Sequence, residues 1–87
     1  MPNPSQYRPV FSEGAADFLI QLSKRRQQKV LALARQLAER PFVHSDYCLA
    51  DESGRDMEHL LIDEFVFVYW VDHAVREVRI AEIEDAS

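Results

Sequence analysis

With 87 residues, an apolar fraction of 47%, two glycines and four prolines, the chain has the composition of one globular domain, residues 1–87, and not of a low-complexity segment. The net charge of −5 is unevenly spread. Residues 1–40 hold seven Lys and Arg against three Asp and Glu, residues 41–87 hold three against twelve, and this pattern excludes a uniformly basic nucleic-acid binder. Residues 1–11 contain no apolar run of signal-peptide kind, and the longest apolar run, residues 65–71, is too short to cross a bilayer. The single Cys48 cannot close a disulfide within the chain, so a reducing, cytoplasmic setting without membrane contact is expected.

In chain order, residues 7–11 form a short extended segment, and Pro9, which lacks a backbone donor, points to a sheet edge. Ser12 is placed as an N-cap with Glu13 in the first turn, and Ala15, Phe18, Leu19 and Leu22 follow at helical spacing, which predicts a helix over residues 13–22. Ser23 caps a second helix whose apolar face is Val30, Leu33, Ala34 and Leu37, and Arg40-Pro41 stops it, since proline steers the preceding residue away from helix. So short a link implies an antiparallel hairpin.

Residues 41–46 read as a loop and 47–50 as a short strand, followed by a turn at Glu52-Ser53-Gly54-Arg55 and a strand over 57–62. Asp63-Glu64 suits a tight reversal. Residues 65–71 are apolar on both alternating faces, Phe65, Phe67 and Tyr69 on one and Val66, Val68 and Trp70 on the other, as in a central strand covered on both sides. On that reading Trp70→Ala would cost about 3–5 kcal/mol. Asp72-His73-Ala74 turns the chain into a last strand over 75–83, where an apolar phase shift between Ile80 and Ala81 points to a bulge. The expected fold is α+β: an N-terminal strand and a helical hairpin packed on a four- or five-stranded antiparallel sheet.

Tyr7-Arg-Pro-Val-Phe-Ser12, Ala16-Asp-Phe-Leu19, the stretch 33–41, Gly54-Arg55, Ile62-Asp-Glu-Phe-Val-Phe-Val-Tyr69 and Glu77-Val-Arg-Ile80 with Ile83 occur here in one order at this length. In that combination the chain resembles the RelE/ParE superfamily, the toxin halves of type II toxin–antitoxin pairs. The resemblance implies a cognate antitoxin as partner and either gyrase or the ribosome as target. In the family's ribonucleases an arginine stands third before the central-strand tyrosine, and a second follows the last strand. Here those positions are Val66 and Ala86, and neither can serve as a base or stabilise charge on a phosphate. No catalytic residue is therefore carried over. A ParE-like inhibitor that works by binding is the first reading; an mRNA interferase with a rearranged site and a non-toxic relative are the alternatives.

Lys24, Arg25, Arg26 and Lys29 are the candidate partner-binding residues. Three cations in a helix's first turn oppose the helix dipole, and an acidic partner would offset that cost. Useful affinity for nucleic acid takes about six phosphate contacts, and four cations without interleaved aromatics argue for a protein partner. Arg55, His59, Arg76 and Arg79 are candidates for a remnant anion site on the sheet, against the alternative that the arginines pair with Glu58 and Glu77. His44, His59 and His73 with Asp46 and Asp72 match no metal-ligand spacing, no cofactor motif is present, and Cys48 reads as a small buried hydrophobe.

Overall fold

The computed structural model describes residues 6–87, and the first five residues of the stretch read as lacking a signal-peptide run lie outside them. The element order is β1 (Arg8–Phe11), α1 (Glu13–Ile20), α2 (Lys24–Glu39), β2 (Tyr47–Ala50), β3 (Asp56–Ile62), β4 (Phe65–Asp72) and β5 (Glu77–Asp85). The five strands make one sheet in the order β1-β5-β4-β3-β2, so β4 is central and β1 and β2 are the edges. Pro9 sits on an edge strand, where its missing N–H costs no ladder bond.

The sheet is mixed rather than wholly antiparallel. Four strands form the expected meander, but β1 runs parallel to β5, with Arg8 opposite Glu77 and Phe11 opposite Ile80. An even number of chain reversals separates β1 from β5, so the two strands point the same way when they meet. Ser12 fastens this junction. Its Oγ accepts from the Ala15 N–H at 3.1 Å as the α1 cap and donates to the Ala81 carbonyl at 2.6 Å. Ala81 is the extra residue of the bulge that the apolar phase shift predicts: Val68 faces Glu82, Tyr69 faces Ile80, and Ala81 is left between them.

One face of the sheet carries the core. Ala15, Val30, Leu33, Ala34, Leu37 and Ala38 from the helices pack on Phe65, Phe67, Tyr69, Val78, Ile80 and Ile83. The β4 residues of the other face are not covered by a second layer. Val68 is buried, but Val66 and Trp70 are only half-buried, and Leu49 and Leu61 are more than half exposed. Central position in the sheet supplied the apolar content of both faces of β4, while helices cover only one. The expected cost of 3–5 kcal/mol for Trp70→Ala therefore passes to the residues beneath the helices.

The last strand begins at Glu77, not Val75, because Arg76 adopts a left-handed backbone (φ 53°) that closes the β4–β5 turn. Asp63 (φ 55°) does the same for the β3–β4 reversal, a conformation that Asp tolerates better than most residues. Cys48 is exposed and not buried, since it lies on the edge strand β2, all four residues of which face solvent. Partial desolvation and the carboxylates of Glu58 and Asp56 push its thiol pKa up, which disfavours the nucleophilic thiolate. No helix among the described residues is long and apolar enough to cross a membrane.

Candidate functional site

The basic first turns of α2 lie against the acidic end of the sheet. Ser23 Oγ accepts from the Arg26 N–H at 3.4 Å and starts the helix. Arg26 Nη2 then donates to Asp85 Oδ2 at 2.7 Å, and its guanidinium carbon stands 5.0 Å from the Phe65 ring centroid. Lys29 Nζ lies 3.4 Å from Glu64 Oε1 and 3.9 Å from Asp63 Oδ2. Half the cluster thus fastens α2 to the β3–β4 turn and the end of β5. Lys24 and Arg25 make no ion pair among the described residues and remain open to a partner.

The Ser87 hydroxyl and Arg26 hold the Asp85 carboxyl well below the usual carboxylate range. A depressed folded-state pKa gives stability that is present above the unfolded value of about 3.9 and lost as pH falls. Asp85→Asn should therefore melt below the parent by a constant margin above about pH 5, and that margin should narrow below about pH 4. Thermal melts from pH 7 to pH 2.5 check this; an unchanging margin would mean that the charge on Asp85 contributes nothing.

On the open face of the sheet, the pairing of β1 with β5 assembles a group that the sequence does not reveal. Glu77, buried to 8% exposure, accepts from Arg8 at 2.9 Å on Oε2 and from Arg79 at 2.7 Å on Oε1. Arg79 continues to Trp70, its guanidinium carbon 5.7 Å from the ring centroid, and Arg55 lies 4.0 Å from the same centroid. Three guanidiniums thus gather around one carboxylate and one indole at this end of the open face, with Asp72 opposite Glu77 and Asp51 beside Arg55. Of the four residues proposed for an anion site, the fold brings Arg55 and Arg79 together through Trp70. His59 stacks instead on Tyr47 at 4.5 Å, and Arg76 stands apart in the β4–β5 turn. Arg8 joins the group; its one sequence signal is a lone cation in an edge strand.

The opposite end of the open face has a different character. Val66 lies between Leu61 on β3 and Glu84 on β5, and the Ala86 N–H donates to the Glu64 carbonyl at 2.7 Å. Burial and the neighbouring Glu84 raise the Glu82 pKa despite His59 nearby. The corner where the resemblance calls for two arginines is thus apolar and acidic.

Where β3 begins and β4 ends, a cleft of about 550 Å³ opens beneath the loop after α2. Phe42 stacks on His73 at 5.3 Å, and His73 Nδ1 lies 2.7 Å from the Tyr7 hydroxyl, so aromatic contacts fasten the loop to the β4–β5 turn. Tyr69 forms part of the wall. Burial, with Glu58 and Asp46 nearby, pushes its pKa up to about 12, and its hydroxyl is buried without a hydrogen-bond partner among the described residues. No three His, Cys, Asp or Glu side chains among the described residues are grouped to hold a metal ion.

No family model matches the chain, and no curated protein matches it. Solved structures do. The chain is similar to one in the RelBE2 toxin–antitoxin complex of Mycobacterium tuberculosis, with a TM-score of 0.75 at 20% identity over 92% of this chain and 98% of that one. The fold is that of the RelE toxins. The RelE–RelB complex of Pyrococcus horikoshii matches with a TM-score of 0.69 at 15% identity, over 94% of this chain and 97% of that one. The RelBE complex of E. coli gives 0.68 at 16%, over 93% and 98%. At these identities the likeness to RelE is one of backbone architecture, and the side chains of the open face must be judged on their own chemistry.

Proposed function

We propose that the chain is the toxin component of a toxin–antitoxin pair, neutralised by a cognate antitoxin and acting by binding a large target such as gyrase or the ribosome. The observation that carries the non-catalytic part is the corner formed by Leu61, Val66, Glu84 and Ala86. Phosphodiester cleavage needs a base or a positioned hydroxyl, together with cations for the charge that develops on the phosphate. On the open face this corner is apolar and acidic, which repels the substrate, and the nearest cations, Arg26 and Lys29, are already engaged by Asp85 and Glu64. The alternative, a ribonuclease, follows from the resemblance to the superfamily's ribonucleases; the structural neighbours themselves come from toxin–antitoxin complexes. It would require the Arg8–Glu77–Arg79–Trp70–Arg55 group to act in place of that corner.

The antitoxin segment is proposed to be acidic and partly helical, and to dock on the helical hairpin at Lys24, Arg25, Arg26 and Lys29. Arg26 and Lys29 already satisfy acids of their own chain, so Lys24 and Arg25 are the cations free to steer the encounter. Charge at an interface rim acts mainly on the association rate and is screened by salt. Changing Lys24 and Arg25 together to Ser should slow association with the antitoxin and flatten its salt dependence, leaving the Arg26–Asp85 pair intact. Induced expression should arrest growth, and co-expression of the antitoxin should restore it. Absence of arrest would favour the non-toxic relative, and unchanged association kinetics at low and high salt would make the cluster a solvated face only.

A further inference from the structure

We propose that the cleft beneath the loop after α2 is a receptor for a basic side chain, an arginine presented by a polypeptide partner. It lies at the far end of the sheet from the Val66 corner and from the basic turns of α2. The inference goes beyond the toxin reading and stands whether or not that reading holds.

Three observations carry it. The first is the Tyr69 hydroxyl, the one buried side-chain polar atom without a hydrogen-bond partner among the described residues. Buried polar groups are nearly always satisfied, and an orphan in the wall of a cleft points to something that enters it. A phenol oxygen can accept a hydrogen bond from a guanidinium N–H. The second is Glu58. Its Oε2 accepts from the Ser45 hydroxyl at 2.6 Å and the Cys48 thiol lies beside it, which leaves a carboxylate in the lining with no cationic partner among the described residues. A carboxylate oxygen and a phenol oxygen facing one cleft match the planar donor fork of arginine.

The third observation is the charge of the lining. Asp56 and Glu58 contribute two carboxylates, and Arg55, the one Lys or Arg among the lining residues, is already drawn onto Trp70. Two carboxylates against one engaged guanidinium make the lining more favourable to a cation than to a phosphate or other anion. At about 550 Å³ the cleft is far larger than a single water needs and lies within the range of ligand pockets. Its rim favours a polypeptide over a free amine, because Phe42 there keeps 74% of its surface exposed and would be covered by the backbone flanking the inserted side chain.

The test is a titration of the full chain, followed by amide and indole NMR resonances, with a Gly-Arg-Gly peptide blocked at both ends. The Gly-Gln-Gly counterpart and inorganic phosphate are titrated in parallel. The arginine peptide should give saturable shifts at Glu58, Tyr69 and the Trp70 indole N–H, and the glutamine peptide should not. Glu58→Gln should weaken binding about tenfold, the usual scale for losing a charged hydrogen-bond partner. Tyr69→Phe, which keeps the ring in the core, should weaken it several-fold and serves as a second variant should Glu58→Gln disturb the fold. Equal shifts from both peptides, saturation by phosphate in place of the arginine peptide, no saturable shift at these residues, or unaltered binding by the variants would each overturn the proposal.

Discussion

Phe67→Ala should cost about 3–5 kcal/mol, and Trp70→Ala less than half as much, although both residues are large aromatics on the same strand. Phe67 is fully buried on β4, flanked across the sheet by Leu60 and Ile83, and faces the helical layer. Removing its ring leaves a cavity that the two-layer packing cannot close. Trp70 is half-buried on the open face, where its loss removes contacts with Arg55 and Arg79 but opens no sealed void. A domain of this size has a total stability of about 4–13 kcal/mol, so Phe67→Ala should lower the melting temperature by tens of degrees or abolish folding at 37 °C. Chemical denaturation of the two variants side by side is the measurement. Equal losses would mean that a second layer covers the open face after all.

The second large effect is an absence of chemistry. Purified protein added to ribosomes programmed with mRNA should cleave at least a hundredfold more slowly than a RelE ribonuclease, the usual penalty for losing one well-placed charge stabiliser. The expectation rests on Val66 and Ala86 and on the carboxylates of Glu82 and Glu84 beside them. Codon-specific cleavage in a reconstituted translation assay that disappears in Arg55→Ala or Arg79→Ala would reverse the conclusion. It would move the site to the Trp70 end of the open face.

Local signals in the sequence were enough for the element order. Ser12 and Ser23 are caps because a serine before an apolar-periodic run satisfies free N–H groups, and both do so in the structure. The break in alternation at Ala81 is a bulge because side-chain period in a strand is two, and one extra residue must reverse the phase. Three features were illegible for one shared reason. The parallel seat of β1, the Arg8–Glu77–Arg79 bridge and the cleft around Tyr69 all join segments that lie far apart in the chain, and adjacency of that kind leaves no periodicity to read. Arg8 and Glu77 are 69 residues apart and meet only because β1 lands beside β5. The same limit explains β4. Its composition showed that both faces are apolar, but only tertiary packing decided that the helices cover the Phe67 face and leave Trp70 with its arginines at the surface. The sequence by itself determined which segments are helix and strand and which family positions lack a cation. The three-dimensional packing decided which charges meet, because electrostatic partnership depends on distance in space and not on order along the chain.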